Sequence, residues 1–397
     1  MSGSVLHGLG RWLDIQLQPI CTTLPSFIKS SWELKQEIDR VPAFPPHAFI
    51  FTGDAVGMYT NISTTHALKV IDRFLRTSPL CAHLPASMQQ AIMNAMQIIM
   101  TCNLFQFGDT YWKQLTGTAM GTPPAPMYAT LYYAIHELSF PEHLVALMPL
   151  YKRYIDDMFG IWLGTAAQFL EMQLYMNDFG MLKWEFSDLC HQVDYLDMTI
   201  RLDGSRLRTT IFEKALNLYL YLPPHSAHPP GALSGLIHGL IKRIYRLTSD
   251  PADCDTNLQD MWCRLRCRGY SAAALQPLFA SGFANRLTTA PKTTSSSHDT
   301  VFLHVPYHPA NPPSRVLQHQ FRDLLRQPSG EIPLPRLRNK NDFECGISRL
   351  IIAHHRPPNL SDLLVPRKID KTHGPPVSAY VNPYATKRGG PSRDPFL

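Results

Sequence analysis

The sequence predicts an α+β fold, in which a small antiparallel sheet with packed helices precedes a helical module. The short apolar run Phe49–Asp54 (FIFTGD) has the length of a buried strand, and longer segments with helical periodicity follow it. Tyr154–Leu163 (YIDDMFGIWL) consists of two apolar runs flanking paired acids, the shape of a hairpin. Leu233–Leu247 carries one apolar stripe at helical spacing. Since strands and helices do not alternate regularly, the pattern is not that of a doubly wound parallel sheet.

The elements before residue 215 follow from periodicity and from helix caps. Ser63 stands where an N-cap is expected, directly before a helical pattern. Apolar residues recur at helical spacing from Met88 to Ile99, which predicts a further helix. In chain order we predict a strand over Phe49–Asp54, helices over Ser63–Leu75, Met88–Met100 and Pro126–Leu138, a hairpin over Tyr154–Leu163, and strands over Leu182–Ser187 and Tyr195–Leu202.

A helical module with basic faces is predicted over residues 216–287. Its first helix is the striped segment Leu233–Leu247, and its second centres on Leu258–Leu265. A turn follows, after which Ser271 caps a third helix. This three-helix pattern is helix-turn-helix-like, a description of shape that does not imply sequence-specific groove binding. The basic residues on its faces are Lys242, Arg243, Arg246, Arg264, Arg266 and Arg268.

The net charge of +6 conceals a division between the two halves of the chain. Residues 1–200 carry 11 basic and 17 acidic residues, whereas residues 201–397 carry 26 basic and 14 acidic ones. Such asymmetry suggests a nucleic-acid or membrane partner for the basic half. The longest apolar run, Ala91–Phe105, is too short and too polar to span a bilayer, so we expect no membrane partner. The eight cysteines form no CxxC pair, which is typical of a reduced intracellular protein without a zinc ribbon or a disulfide framework.

Three acids are the candidate catalytic residues. Asp54 closes an apolar strand, and Asp156 and Asp157 stand together between apolar runs. Adjacent carboxylates in an apolar hairpin are costly unless their charge is compensated. Two Mg²⁺ ions would compensate it, and such a pair supports in-line phosphoryl transfer. The alternative is a solvated Asp-Asp turn, which is the better interpretation of an isolated pair, so the surrounding sequence decides.

Five segments occur in the order found in one family. They are FTGDAVGMYTNI (Phe51–Ile62), GTAMGTPPAP (Gly117–Pro126), KRYIDDMFGIW (Lys152–Trp162), LKWEFS (Leu182–Ser187) and DYLDMTI (Asp194–Ile200). Together they resemble the palm of a reverse transcriptase, most closely that of Penelope-like retroelements. Later segments, PHSAHP, IKRIYRLTS and RPPNLSDLLV, resemble the downstream region of the same class. The resemblance extends from about residue 15 to about residue 370.

The resemblance implies a right-hand polymerase palm followed by a thumb-like element. It implies an RNA-directed DNA polymerase that adds a dNTP to the 3′ end of a DNA primer on an RNA template, with two Mg²⁺ ions or alternatively Mn²⁺. Asp54 and Asp156 would ligate both metals, and Asp157 would complete the acidic cluster. The six basic residues of the module would contact phosphates of the template–primer duplex, without reading sequence.

The resemblance also assigns the nucleotide and template pocket. Tyr59 would be an aromatic gate that favours deoxynucleotides, although a role in the core is the alternative. Glycine allows close approach of the backbone to a base pair or template strand. Lys183 would protonate the leaving pyrophosphate or would be an ordinary surface lysine. The nucleotide- and template-binding residues implied are Tyr59, Gln114, Gly117, Gly121, Tyr154 and Lys183.

The predicted domains are a partial palm (1–215), the helical module (216–287), a polar linker (288–300), a connector (301–371) and a disordered, proline- and glycine-rich tail (372–397). The fingers motifs of the family are not found before Asp54, and no GIY-YIG-type endonuclease pattern follows Pro366. A catalytically silent nucleic-acid-binding remnant is therefore the alternative function. Nuclear residence is expected of a retroelement protein, but no lysine-rich localisation run supports it.

Overall fold

The computed structural model describes residues 5–286, except 46, 227 and 230, together with 300–326, except 309, and 349–355. The chain divides into two compact units, residues 1–224 with 234–288, and residues 225–233 with 289–397. The predicted tail over 372–397 lies outside the described residues, as does the predicted linker except for Thr300. Of the predicted connector, 327–348 and 356–371 also lie outside them.

The first unit contains most of the regular structure. Its helices are α1 (His7–Cys21), α2 (Ser31–Arg40), α3 (Met58–Asn61), α4 (Thr64–Thr77), α5 (Ala86–Thr101), α6 (Ala125–Glu137), α7 (Glu142–Val145), α8 (Ala166–Met176), α9 (Ala232–Leu247, which starts just before the unit boundary), α10 (Pro251–Cys267) and α11 (Ala272–Ala284). Its strands are β1 (Phe49–Ala55), β2 (Leu104–Phe107), β3 (Thr110–Lys113), β4 (Tyr151–Tyr154), β5 (Asp157–Trp162), β6 (Trp184–Phe186), β7 (Gln192–Tyr195), β8 (Met198–Asp203) and β9 (Arg206–Ile211).

The central sheet has four strands in the order β4-β5-β1-β6, and every neighbouring pair is antiparallel. β7, β8 and β9 form a separate antiparallel meander, and β2 pairs with β3 as a hairpin. A small antiparallel sheet with packed helices is thus present. On β1, Ile50 and Phe51 are both fully buried although they point to opposite faces, because each belongs to a different hydrophobic cluster. This explains why the strand is a continuous apolar run.

The predicted helices and caps are present with small shifts at their ends. Ser63 accepts a hydrogen bond from the His66 amide at the start of α4, and Ser271 accepts one from the Ala274 amide at the start of α11. The hairpin over Tyr154–Leu163 consists of the end of β4, a turn, and β5. The stripe on α9 faces inward through Ile237 and Ile241, among others.

The prediction of one strand over Tyr195–Leu202 was wrong. The chain turns at Leu196–Asp197, so that Tyr195 closes β7 and pairs with Met198 at the start of β8. Leu196 adopts a positive φ of 51°. A leucine at such a position is unusual, and the turn has none of the glycine or asparagine residues that normally mark a hairpin in a sequence.

A buried ion pair joins the central sheet to α6. The Arg153 Nε atom lies 2.6 Å from the Glu137 Oε1 atom, and the two side chains are 1% and 5% exposed. Tyr151 donates a hydrogen bond to the same carboxylate, as does Ser26. Burial by itself would raise the pKa of Glu137, but the charge and hydrogen bonds of Arg153 hold it below its usual value. Both buried charges are therefore compensated within the protein.

The second unit contains a strand–helix–strand motif. β10 (Thr300–Pro306) pairs in parallel with β11 (Arg349–His355), and α12 (Ser314–Arg326) lies between them in sequence. The Ser314 Oγ atom lies 3.5 Å from the His354 Nε2 atom, which links α12 to β11. Among the described residues of the whole chain, no helix is both long and apolar enough to cross a membrane.

Candidate active site

Strand register brings two of the candidate acids, Asp54 and Asp157, together. Asp54, near the end of β1, pairs directly with Asp157, the first residue of β5. On the other side of β1, Asp54 pairs with Glu185 of β6. The Ala55 amide donates a hydrogen bond of 2.9 Å to the carbonyl oxygen of Asp156. Residues more than one hundred positions apart thus meet at one end of the sheet.

A tight turn holds Asp156 at the tip of the β4–β5 hairpin. Ile155, which precedes it, has a φ of 56°. A β-branched residue rarely adopts this left-handed conformation, because its side chain is crowded there. The buried Arg153 donates a hydrogen bond of 2.6 Å from Nη1 to the Ile155 carbonyl oxygen. The Arg153–Glu137 pair therefore also fixes the turn that carries Asp156.

The three carboxylates repel one another. Burial, followed by the charges of Asp156 and Asp54, raises the pKa of Asp157 to about 6. Burial and then the charges of Asp156 and Glu185 raise the pKa of Asp54. Across the part of the chain that the structure describes, no ion pair involves any of the three. This cluster therefore has unbalanced negative charge.

The donor atoms suit a hard cation but do not enclose one. A cavity of about 160 Å³ beside Asp54 and Asp157 is also lined by Glu185 and Asp194. Within the described residues, no group of three or more His, Cys, Asp or Glu side chains is already arranged to hold a metal ion. Mg²⁺ is commonly bound by one or two carboxylates, with waters and substrate phosphates completing its coordination. The set fits Mg²⁺ in charge and donor type, as an open rather than a closed site.

Tyr59 lies near this cluster, and Gly117 lies against Tyr59. Tyr59 is half-buried, and burial followed by the charges of Asp156 and Tyr154 raises its pKa. Its carbonyl oxygen accepts a hydrogen bond of 2.6 Å from the Thr118 amide. A Cβ on Gly117 would lie 2.6 Å from that carbonyl, whereas one on Gly121 would have no neighbour within 4 Å. Gly117 therefore serves a contact within the chain, and Gly121 leaves an open surface.

The remaining pocket residues are less closely tied to the acids. Gln114 donates a hydrogen bond to the Thr116 carbonyl oxygen, and Lys183 donates one to the Asn177 carbonyl oxygen. Tyr154 ends β4 and packs against the hydrophobic cluster that contains Ile50. Among the described contacts, neither Gln114 nor Lys183 is hydrogen-bonded to the three carboxylates.

The six basic residues of the module fall into two sets. Arg264 binds Glu213 through both guanidinium nitrogens and stands 3.7 Å from the centre of the Tyr219 ring. Arg266 donates to the Tyr270 carbonyl, and Arg268 donates to that of Tyr221. These three arginines thus make contacts within the helical module and with the segment that precedes it. The other set, Lys242, Arg243 and Arg246, lines one pocket beside the start of α2.

Two residues near the acids were not anticipated from the sequence. Glu185 lies beside Asp54 only because of the β1–β6 register. Tyr195 donates a hydrogen bond of 2.9 Å to the Asp157 carbonyl oxygen and so supports β5 from the meander. Alternation along LKWEFS places Glu185 on the same face as Lys183, but nothing in the sequence indicates which residue faces Asp54.

Residues 220–276 match the family of animal helix-turn-helix domains. No curated protein matches the sequence. The telomerase of Candida albicans in complex with a TWJ fragment of telomeric RNA shares the fold at a TM-score of 0.50 and 12% identity, over 70% of this chain and 48% of that one. Apo telomerase from Candida tropicalis has a TM-score of 0.41 and 9% identity, over 71% of this chain and 53% of that one. The sicinivirus 3Dpol RNA-dependent RNA polymerase has a TM-score of 0.40 and 12% identity, over 66% of this chain and 55% of that one. The chain spans about half the length of these telomerases. Its fold is polymerase-like, and one segment of it is similar to animal helix-turn-helix domains.

Proposed function

We propose that this chain is the core of an RNA-directed DNA polymerase of the Penelope-like retroelement type. The observation that carries the proposal is the register that pairs Asp54 with Asp157 and places Asp156 at the adjoining turn. The order of the sequence motifs and the polymerase-like fold support it. Its substrates would be an RNA template, a DNA primer and dNTPs.

Each part of the site has a role in this reaction. Asp54, Asp156 and Asp157 would hold the two Mg²⁺ ions, which supply positive charge to the primer hydroxyl and to the leaving pyrophosphate. Tyr59, half-buried beside Asp156, would limit the space next to the sugar of the incoming nucleotide. The open surface at Gly121 would admit the template backbone.

Primer extension on an RNA template with Mg²⁺ tests the proposal. We expect the wild-type chain to incorporate dNTPs, and the double variant Asp156→Asn with Asp157→Asn to lose roughly 100-fold or more of that rate. Asp188→Asn is the matched control, because Asp188 is an exposed acid beyond β6. Equal incorporation by wild type and double variant, or none by either, would contradict the proposal.

A second candidate is nucleic-acid binding without synthesis. The observation that favours it is the helix-turn-helix match over 220–276, a region that carries all six basic residues considered above. An RNA–DNA duplex that binds the chain but is extended by neither wild type nor variant would support this candidate. Loss of extension in the double variant alone would reject it.

A further inference from the structure

A pocket forms where the first turn of α2 meets the basic side of α9. Its volume is about 240 Å³, and its walls include Ser31 and Trp32 from α2, Asp197 from the β7–β8 turn, and Lys242, Arg243 and Arg246 from α9. We call it the Trp32 pocket. Three cations and one carboxylate leave its lining with a formal charge of +2, so it favours an anionic ligand.

The carboxylate has an identifiable internal task. Asp197 accepts a hydrogen bond of 3.2 Å from Ser31 Oγ and forms an ion pair with Arg243, whose Nη2 atom lies 3.1 Å from Asp197 Oδ1. It thereby joins α2 to α9 and orients Arg243 in the wall. Asp197 balances about one of the three positive charges in this lining, and Lys242 and Arg246 are the other basic positions on the same side of α9.

The pocket also presents an aromatic surface. Trp32 remains 37% exposed, and the Arg246 guanidinium lies 5.4 Å from the centre of its ring. Indole and guanidinium planes both stack on nucleobases, and their mutual attraction keeps the pair in place. A stacking surface within a cationic pocket is the combination that a nucleotide recognises, with its flat base and its charged phosphate.

We propose that the Trp32 pocket binds one unpaired nucleotide of a single nucleic-acid strand, with the base against the Trp32–Arg246 pair and the phosphate among the basic side chains of α9 that line the pocket. Bases in a duplex are paired and stacked on each other, so they cannot turn into a pocket of this size, whereas bases of a single strand can. The proposal rests on the proposed function only in that the chain handles nucleic acid. It adds Trp32 and Ser31, and a single-stranded ligand, to the duplex contacts implied by the sequence.

The pocket is connected to the candidate acids through one turn. Asp197 lies two residues beyond Tyr195, whose hydroxyl donates to the Asp157 carbonyl oxygen. A strand bound in the pocket would therefore rest on the same meander that supports β5. This gives the site a part in guiding a strand beside the polymerase centre rather than in the chemistry itself.

Fluorescence anisotropy on the full chain tests the proposal with two probes. One is labelled oligothymidylate, and the other is the same strand annealed to oligoriboadenylate. We expect Trp32→Ala to weaken single-strand binding about 10-fold or more and to leave duplex binding within about 2-fold. Trp32→Phe keeps an aromatic ring and should stay within about 3-fold of wild type on both probes. Trp112→Ala is the matched control, because Trp112 is 54% exposed on β3, outside the pocket.

Three outcomes would overturn the proposal: Trp32→Ala binding the single strand as wild type does, Trp32→Ala weakening both probes equally, or Trp112→Ala causing the same loss. Thermal unfolding of Trp32→Phe and Trp32→Ala shows whether either variant is folded. If Trp32→Ala is unfolded, the affinities of Trp32→Phe and Trp32→Leu for the single strand are compared instead. We expect only Trp32→Leu to bind the single strand more weakly. Primer extension is scored separately, so a polymerase with an inert pocket is distinguishable from a strand binder without synthesis.

Discussion

Glu137 and Asp157 are two carboxylates next to the paired strands β4 and β5, and their surroundings differ: Glu137 has protein partners that balance its charge, whereas Asp157 faces further acids. Glu137 is buried, yet it receives hydrogen bonds from Arg153 and Tyr151, both on β4. Its pKa is held low. Asp157, on the neighbouring strand, is only half-buried, and its nearest charges are two further carboxylates that raise its pKa to about 6.

The difference separates a carboxylate that has a full set of protein partners from one that, among the described residues, has no cationic partner. The fold provides a complete set of partners for a carboxylate where β4 meets α6. It leaves Asp157 and Asp54 uncompensated one strand away, at a cost to stability. Perturbed carboxylates without a protein cation are a common mark of functional sites. The contrast thus supports Asp54 and Asp157 as candidate acids of a functional site.

The largest expected effect on stability comes from removing the Arg153 guanidinium, which is the charge partner of Glu137. Arg153→Met keeps the apolar stem but leaves the Glu137 carboxylate buried without its charge partner. We expect the free energy of unfolding to fall by about 3–5 kcal/mol. Urea denaturation at neutral pH measures it.

The matched control for that variant is Arg76→Met, which breaks the exposed ion pair with Asp72. Its expected cost is about 0–1 kcal/mol, because both side chains are well solvated. Equal losses in Arg153→Met and Arg76→Met would show that the buried pair is not the structural feature that we take it to be.

Gly117 and Gly121 differ in how closely they are packed, which gives a second comparison. Gly117→Ala would place a Cβ 2.6 Å from the Tyr59 carbonyl at a φ of +76°, so we expect a cost of roughly 2–4 kcal/mol. Gly121→Ala has the left-handed φ of +86° without the clash, and its cost should be about 1–2 kcal/mol. Thermal unfolding of the two variants compares them, and a larger loss at Gly121 would be inconsistent with the close approach at Gly117.

The smallest expected effect is the pH dependence of Asp157. Its pKa in the folded protein, about 6, lies above the value of 3.8 for an unperturbed Asp, so the folded state binds this proton more tightly. Stability from this group is therefore greatest below about pH 4 and is lost as the pH rises through about 6. Asp157→Asn should flatten that fall and stabilise the metal-free protein at pH 7 by about 1 kcal/mol, allowing for solvent screening.

Urea unfolding with a chelator, at acidic and neutral pH, checks this last prediction. Asp188→Asn serves as its control, since Asp188 is an exposed acid beyond β6. A stability that rises between pH 4 and pH 6 in wild type but not in Asp157→Asn would mean that the sign is wrong.

Local patterns predicted the features that depend on local physics. Ser63 and Ser271 cap their helices as expected, and the FIFTGD run is a strand with its acid at one end. The turn at Leu196 was missed because it contains no glycine or asparagine, the residues that most strongly mark a two-residue hairpin.

Partners from distant segments were beyond the reach of the sequence. Asp197 pairs with Arg243 and Glu213 pairs with Arg264, and each acid lies tens of residues from its partner. The position of Glu185 beside Asp54 depends on strand register, which the sequence alone did not determine.

The pairing of Asp54 with Asp157 has a kinetic consequence. β1 must wait for β5, which is synthesised about a hundred residues later, before its register is fixed. Such long-range pairing slows folding, because the loop must close before any contact rewards it. In a chain made from its N-terminus, the apolar strand that ends in Asp54 therefore stays without its β5 partner until the YIDD hairpin has left the ribosome. Among the parts of the central sheet, the acidic cluster is one of the last to be assembled.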